Sequence, residues 1–324
     1  MTGAADWRPT ATLNALRRRA QSLAFTREFF RARGVLEVET PALVNAPVSD
    51  VNLRSVRVDM PDHPAPLWLH TSPEYAMKRL LAAGAGDIYQ VCRVFRGAER
   101  GRQHNPEFTM LEWYRLGFSL DDLMTEVAAL VRGLLGDAGA GLPVEFVSYL
   151  DALRRHADLD PFGDVAPLRA AARELGFDAT HAASAGRDEL LDLIVGARVG
   201  PALGANALTF LHRYPASQAA LARLDPRDPR VALRFELYHR GIELANGYHE
   251  LASGAEQRQR FTEDLAQRAA RGLPAAAIDP RLLAALDAGL PDCAGVALGF
   301  DRVLMLATGA TNIDEVLAFP VERA

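Results

Sequence analysis

The segment HNPEFTMLEWYR, residues 104–115, combines the pattern of a β-strand with an unusual density of polar groups. It carries an imidazole, an amide, a phenol and the carboxylates of Glu107 and Glu112. A strand that only filled a core would carry apolar side chains here, because buried polar groups are costly without partners. The segment therefore predicts a strand that lies in a binding or catalytic site.

The residues before this segment predict the other strand of a hairpin. DIYQVCRVFR, residues 87–96, is typical of a strand, GAERGRQHNP of a polar loop, and EFTMLEWYR of the returning strand. A second hairpin is predicted in VALRFELYHRGIELANGYHEL, residues 231–251, where apolar and polar residues alternate. LTFLHRY, residues 208–214, predicts one more strand, and VLEVETP, residues 35–41, a short one.

Helical spacing and terminal signals predict helices around these hairpins. TSPEYAMKRLL, residues 71–81, has an N-cap hydroxyl followed by Pro73 and Glu74 in the first turn. AGVALGFDRVLMLATG, residues 294–309, predicts a strand that runs into a helix, with Gly299 at the junction. Further helices are predicted over residues 13–33, 119–135, 255–271 and 280–288. Hairpins with helices outside them indicate an α+β fold, with a mixed, mainly antiparallel sheet flanked by helices.

Composition bounds the class of protein. The 324 residues have a net charge of -5 and a pI of about 5.9, which argues against a protein whose main function is to bind nucleic acid. The sequence has no apolar run near the ~18 residues that span a membrane and no secretory signal, so we expect a cytoplasmic protein. We expect Cys92 and Cys293 to be buried thiols, since their spacing suggests no zinc site.

Two glutamates near the second hairpin's turn suggest a cation site. Glu236 and Glu243 flank Arg240–Gly241, so an antiparallel hairpin places them within a residue or two of each other. Paired carboxylates repel unless a cation lies between them, and oxygen ligands suit Mg²⁺ bound together with phosphate. An ion pair with Arg234 on a solvated face explains the same pattern, and both interpretations stay open.

The spacing of Glu243 and Glu250 poses a problem of parity. The two residues are seven positions apart, so a regular strand would point them to opposite faces. We expect a β-bulge at Gly247 to return Glu250 to the face of Glu243.

Two arginines suggest contacts with phosphate. Arg96 ends the strand before the polar loop, and Arg302 follows Gly299. Arginine offers forked donors to phosphate and stays charged, so the pair could hold a triphosphate and stabilise a leaving pyrophosphate. Surface ion pairs explain each arginine taken alone, and stabilisation of the helix dipole similarly explains Glu74.

Three longer segments resemble the motifs of class II aminoacyl-tRNA synthetases. GVLEVETPAL (34–43) resembles motif 1, FRGAERGRQHNPEFTMLEWY (95–114) motif 2, and GVALGFDRVLML (295–306) motif 3. RFELYHRGIELANGYHEL (234–251) resembles the lysine-type subgroup. The resemblance implies one catalytic domain over residues 1–324, in which 136–205 form a mostly helical insertion. It also implies ATP, Mg²⁺ and a homodimer.

The resemblance implies a role for each matching residue. Glu74 faces the backbone-side amine of a lysine-like substrate, while Tyr114 and Glu250, with Glu112 behind them, face its side-chain ammonium. The implied amino-acid site comprises Ser72, Pro73, Glu74, Glu112, Tyr114, Asn246, Glu250 and Ala297. The implied ATP site comprises Arg96, Gly97, Ala98, His104, Asn105, Phe108, Glu243, Leu244, Gly299 and Arg302, with Phe108 stacked on adenine. Glu236 and Glu243 are the implied Mg²⁺ ligands, and Arg96 and Arg302 the catalytic residues.

Two departures from lysyl-tRNA synthetases favour their stand-alone relatives, which activate (R)-β-lysine and attach it to a lysine of elongation factor P. Motif 1 begins near residue 34, so we expect no anticodon-binding domain and no strong tRNA binding. Ala297 replaces the usual glycine, and its methyl group would disfavour an amine on the α-carbon. A third departure concerns the ATP contacts of the motif 2 loop: Ala98 replaces a glutamate often found there, and the adjacent Glu99 could take its place. A truncated synthetase that makes lysyl-adenylate or charges tRNA, and an inactive regulatory paralogue, remain as alternatives.

Overall fold

A computed structural model describes residues 7–324, which form two compact units. The first unit comprises the described residues through Phe118 together with Ala129–Ala140 and Ala252–Ala324. The second unit comprises Ser119–Ala128 and Gly141–Leu251. The single catalytic domain with an insertion over residues 136–205 stays a prediction.

Helices occupy most of the positions that the sequence predicts. They are α1 (Leu13–Arg31), α2 (Glu74–Ala82), α3 (Leu120–Leu135), α4 (Tyr149–Ala157), α5 (Val165–Glu174), α6 (Ala179–Ser184), α7 (Arg187–Ile194), α8 (Gly254–Ala270), α9 (Pro280–Gly289) and α10 (Phe300–Thr308). The hydroxyl of Thr12 accepts a hydrogen bond from the backbone N–H of Ala15 at 3.1 Å and thereby caps α1.

The strands include both predicted hairpins. They are β1 (Leu36–Glu37), β2 (Leu43–Val44), β3 (Val56–Val58), β4 (Leu67–Leu69), β5 (Ile88–Phe95), β6 (Glu107–Leu116), β7 (Val144–Ser148), β8 (Leu208–Pro215), β9 (Leu224–Asp225), β10 (Asp228–His239), β11 (Ile242–His249) and β12 (Cys293–Gly299). The sequence did not predict β2, β3, β4, β7 or β9, which are too short or too irregular to show periodicity.

In the first unit, β6 is the central strand of a mixed sheet. It pairs antiparallel with β5 on one side and with β12 on the other, while β1 adds to β5 in parallel. One face packs against α1, where Phe30 stacks on Tyr89 with ring centroids 4.4 Å apart and meets Trp113 edge-on. Because these rings are buried, the opposite face of β5, β6 and β12 is the one left for a site.

In the second unit, β10 is the long central strand. It pairs antiparallel with β8 and β11, and β7 pairs with β8 in parallel. Helices α4, α5 and α7 supply an apolar core that includes Leu153, Leu168 and Leu190. Arg240 and Gly241 both have positive φ angles, 50° and 69°, and form the predicted tight turn between β10 and β11.

Candidate active site

The strand register gathers several predicted residues on one face of the first unit's sheet. Glu112 on β6 lies directly opposite Gln90 on β5 and Ala297 on β12. Directly opposed residues point to the same side of a sheet, and Tyr114 follows two positions after Glu112, so it shares this face. We call this surface, defined by Gln90, Glu112, Tyr114 and Ala297, the polar sheet face.

Ser72 connects the start of α2 to Glu112. Its Oγ donates to the Glu112 carboxylate, with distances of 2.6 and 2.9 Å to the two oxygens. The same Oγ accepts a hydrogen bond from the backbone N–H of Glu74 at 3.0 Å. Helix α2 begins at Glu74, and its N-cap residue is Pro73. The hydroxyl of Ser72 therefore lies one position before the N-cap and not at it, as the sequence had predicted. Ser72 orients Glu112 and the first turn of α2 together.

The negative charge of Glu74 is paired with a lysine on the same helix. The Nζ of Lys78 lies 2.7 Å from Glu74 Oε1, one turn further along α2, and the Lys78 side chain is only 1% exposed. A buried ammonium needs such a partner, since an isolated charge inside a protein is very costly. Lys78 therefore holds the carboxylate that is predicted to face the substrate's amine.

Arg96 lies at the end of β5, where the polar loop begins. Its guanidinium carbon is 5.2 Å from the centroid of Phe108, and its Nε donates to the Thr71 carbonyl at 3.4 Å. Glu99 approaches it only loosely, at 3.9 Å. Because Arg96 and Phe108 are neighbours, a ring stacked on Phe108 would lie close to a positive charge.

Arg302 reaches the same loop from α10. Its Nη2 lies 2.7 Å from His104 Nε2, and its Nε donates to the Gln103 carbonyl at 3.4 Å. Burial lowers the pKa of His104, and the adjacent charge of Arg302 lowers it further. His104 is therefore neutral at pH 7, and its Nε2 accepts from Arg302.

Two other predicted ATP residues have local roles in the loop. Both polar side-chain atoms of Asn105 are engaged, since Nδ2 donates to the Glu107 carbonyl at 2.6 Å and Oδ1 accepts from the Val321 N–H at 3.2 Å. Ala98 is exposed and has a φ of 66°, which is uncommon for a residue with a Cβ. Direct ATP contacts of Asn105 and Ala98 stay predictions.

In the second unit, Glu236 belongs to a buried network of charge. Arg234 Nη2 donates to its Oε1 at 2.6 Å, and Tyr238 OH donates to its Oε2 at 2.7 Å. Arg234 also lies 4.2 Å from the ring centroid of Tyr214 and donates to Asn246 Oδ1 at 3.3 Å. The sequence anticipated the Arg234 pair as one of two interpretations and missed Tyr238.

A β-bulge aligns the acidic residues of β11. Glu236 pairs with Asn246 and Leu237 with Ala245, whereas Tyr238 pairs with Glu243, so Leu244 is the extra residue. The expected bulge at Gly247 is wrong, because Gly247 lies in regular register opposite Phe235. The bulge at Leu244 brings Glu243 and Asn246 to one face, and even spacing places Glu250 on the side of Asn246. The face sharing of Glu243 and Glu250 is therefore correct, for a different reason.

The carboxylates near Glu243 are too few to coordinate a hard cation without additional ligands. No group of three or more His, Cys, Asp and Glu side chains able to hold a metal occurs within residues 7–324. Glu236 and Glu243 offer carboxylate oxygens, which Mg²⁺ prefers, but each oxygen of Glu236 already accepts one hydrogen bond. The donor set fits Mg²⁺ that takes its other ligands from phosphate and water.

The fold and these residues define a class of protein. Residues 3–323 match the family described as tRNA synthetases class II (D, K and N), and the chain belongs to that family. The predicted α+β class II fold is confirmed. Among similar proteins are those named "Elongation factor P--(R)-beta-lysine ligase" from Klebsiella pneumoniae (strain 342), Salmonella dublin and Salmonella paratyphi B. Each is 50% identical over 329 aligned residues, which cover 100% of this chain and 100% of the relative.

These matches confirm the resemblance that the motifs carry, and they make the chain a ligase of the class II synthetase type, a class that uses ATP. None of the helices within residues 7–324 has the length and apolar character to cross a membrane.

Proposed function

We propose that the chain activates (R)-β-lysine with ATP and transfers it to a lysine side chain of elongation factor P. The full-length similarity to ligases named for this reaction is the observation that carries the proposal. In the first step a carboxylate oxygen of β-lysine attacks the α-phosphorus of ATP, which gives an adenylate and releases pyrophosphate. In the second step the acceptor amine attacks the adenylate's carbonyl carbon, loses a proton, and displaces AMP.

The amino acid is recognised by carboxylates that face its two ammonium groups. Glu74 binds the amine near the carboxyl end, and Tyr114 and Glu250 bind the side-chain ammonium, with Glu112 behind them. Charge-assisted hydrogen bonds are each worth about 1.5–3 kcal/mol, which offsets the removal of the ammonium groups from water. Three other members of the proposed amino-acid site are Ser72, Pro73 and Asn246.

The nucleotide is bound by residues of the three synthetase motifs. Arg96 contacts the α-phosphate, Phe108 stacks on adenine, and Arg302 stabilises charge on the departing pyrophosphate. The neutral His104, held by Arg302, accepts and donates hydrogen bonds without adding positive charge. The remaining contacts come from Gly97, Ala98, Asn105, Glu243, Leu244 and Gly299.

Glu243 and Glu236 are proposed to hold Mg²⁺. When bound, the ion would neutralise phosphate charge and favour departure of pyrophosphate. Arg234 and Tyr238 fix the orientation of Glu236 in advance, so its remaining lone pairs need little reorganisation.

We also propose a cytoplasmic homodimer built partly on motif 1. The resemblance to motif 1 is the basis for this proposal, and within or near that motif Leu36 is 56% and Leu13 is 66% exposed. A partner that covered both leucines would remove apolar surface from water, which is favourable. Light scattering of the wild type and of Leu36→Asp would test this, and a wild-type monomer at micromolar concentration would contradict it.

The test of function is ATP–pyrophosphate exchange with α-lysine and with both enantiomers of β-lysine, followed by transfer to purified elongation factor P. We expect exchange to be fastest with (R)-β-lysine and transfer to require free lysine amines, so elongation factor P with methylated amines is the control. Lysine tRNA is the competing acceptor. Charging of tRNA at a rate near that of adenylate formation would indicate a truncated synthetase, and absence of all exchange would indicate an inactive paralogue.

A further inference from the structure

One buried glutamine on the polar sheet face, Gln90, has not yet been given a role. Gln90 on β5 is 3% exposed and lies directly opposite Glu112. The Cβ atoms of directly opposed residues in an antiparallel pair are roughly 4.5–5.5 Å apart, which is close enough for one small cation to contact both side chains. Neither the sequence motifs nor the resemblance assigns a role to Gln90.

The carbonyl oxygen of Gln90 lacks a donor within the described chain. Its Oε1 is buried and accepts no hydrogen bond from any residue between 7 and 324. A buried acceptor without a partner costs roughly 1–3 kcal/mol, so the position of Gln90 Oε1 opposite Glu112 needs an explanation, and a bound donor would supply one. The Gln90 side chain also hydrogen-bonds the Cys92 thiol. Burial raises the pKa of that thiol to about 12, and the hydrogen bond from Gln90 opposes this rise.

We propose that Gln90 is a specificity-determining residue whose Oε1 accepts a hydrogen bond from the substrate's side-chain ammonium, beside Glu112. This inference rests on the proposed function for the identity of the amino acid. An ammonium has three donors, and a neutral amide supplies an acceptor without adding a second negative charge next to Glu112.

Two substitutions separate hydrogen bonding from packing. Gln90→Met keeps the approximate volume and removes the acceptor, so the KM for (R)-β-lysine in pyrophosphate exchange should rise about tenfold, equivalent to about 1.4 kcal/mol. The kcat and the KM for ATP should stay within twofold of wild type. Gln90→Glu restores an acceptor but adds a second carboxylate beside Glu112, so its KM for (R)-β-lysine should lie below that of Gln90→Met and within threefold of wild type.

Gln257→Met is the matched control, since Gln257 on α8 is 1% exposed and its Oε1 also lacks a partner among the described residues. It should leave the KM for (R)-β-lysine unchanged. An equal KM increase in both methionine variants would overturn the role of Gln90, because packing alone would then explain it.

Calorimetric binding of lysine analogues keeps this inference distinct from the proposed function. The affinity loss in Gln90→Met should persist for 6-aminohexanoate, which keeps the terminal ammonium, and vanish for norleucine, which lacks it. Wild-type exchange with an unchanged KM in Gln90→Met overturns the inference alone. Gln90-dependent binding without exchange overturns the proposed function alone, and the absence of binding by wild type overturns both.

Discussion

At the scale of single residues, we propose that the methyl group of Ala297 determines whether the enzyme prefers an amine on the α- or the β-carbon of the substrate. Ala297 lies beside Glu112 on the polar sheet face and is partly exposed, while its neighbours Val296 and Leu298 are buried. We expect Ala297→Gly to improve the use of α-lysine relative to β-lysine. One buried CH₂ is worth about 0.8 kcal/mol, which predicts a change of roughly fourfold to fivefold in the ratio of kcat/KM values.

The control for this substitution is Ala294→Gly on the same strand. Ala294 has the opposite parity and is fully buried, so glycine there weakens β12 without opening the polar sheet face. Pyrophosphate exchange with both lysines measures the ratio for each variant. An Ala297→Gly ratio within error of wild type would show that this methyl group does not set the preference.

Glu243 is the residue on which the proposed metal site depends most. Glu243→Gln keeps the shape and removes the charge, so we expect adenylate formation to fall by at least a hundredfold and the circular dichroism spectrum to stay unchanged. The physical reason is the loss of a carboxylate ligand for Mg²⁺. Glu174→Gln, at an exposed end of α5, is the charge-matched control. A Glu243→Gln enzyme with wild-type exchange and the same Mg²⁺ requirement would refute the assignment.

At the scale of elements, local signals predicted the hairpins well and their registers poorly. Arg240–Gly241 could be located because a tight turn demands positive φ angles, which glycine adopts freely. The bulge at Leu244 could not be located, because leucine gives no signal and the shift arises from how β10 and β11 pair. Gln90 was missed for the same reason, since its position opposite Glu112 exists only once β5 and β6 are in register.

The packing of α8 predicts a dependence of stability on pH. Burial raises the pKa of Asp264 from 3.8 to about 6, and nearby Asp50 and Glu263 add to the rise, although Ser49 donates a hydrogen bond to its carboxylate. Because the folded-state pKa is the higher one, the unfolded chain releases its proton first as pH rises. The ionised side chain therefore lowers the free energy of unfolding. This cost is absent below about pH 4 and fully present above about pH 6.

Asp264→Asn should remove that cost and keep an acceptor for Ser49. We expect the variant to exceed wild type by about 1 kcal/mol in free energy of unfolding at pH 7, after allowance for solvent screening, and the difference to shrink towards pH 4. Urea unfolding across pH 4–7 measures it, with the exposed Asp62→Asn as control. A difference that stays constant over this range would contradict the titration of Asp264.

At the scale of the whole molecule, the motifs predicted the family because each combines many functional side chains within a short segment. Arg96, Glu112 and Arg302 lie in segments where several polar residues recur at fixed spacing, and such strings specify a fold and a chemistry together. The division into two compact units could not be predicted, since it depends on which distant segments pack together. Ser119–Ala128 belongs to the second unit although the rest of α3 belongs to the first.

Charge composition suggests that the whole surface is adapted to a reactive product. Lys78 is the only lysine among the 36 lysine and arginine residues, and it is buried against Glu74. An aminoacyl adenylate acylates free amines, whereas the guanidinium of arginine is a poor nucleophile at pH 7. A surface rich in arginine would therefore suppress self-modification, whatever compositional bias produced it.

We expect wild type incubated with ATP and (R)-β-lysine, without acceptor, to leave Lys78 largely unmodified in peptide mass spectra. The ion pair with Glu74 holds the Lys78 amine in place, and burial keeps it from the adenylate. Arg54→Lys should gain β-lysyl adducts with time, because Arg54 is exposed and its carbonyl accepts from Gly97 at the start of the motif 2 loop. Arg173→Lys, exposed on α5, controls for adducts formed by adenylate released into solution. If Arg54→Lys gains no more adducts than Arg173→Lys and wild type, the scarcity of lysine reflects composition alone.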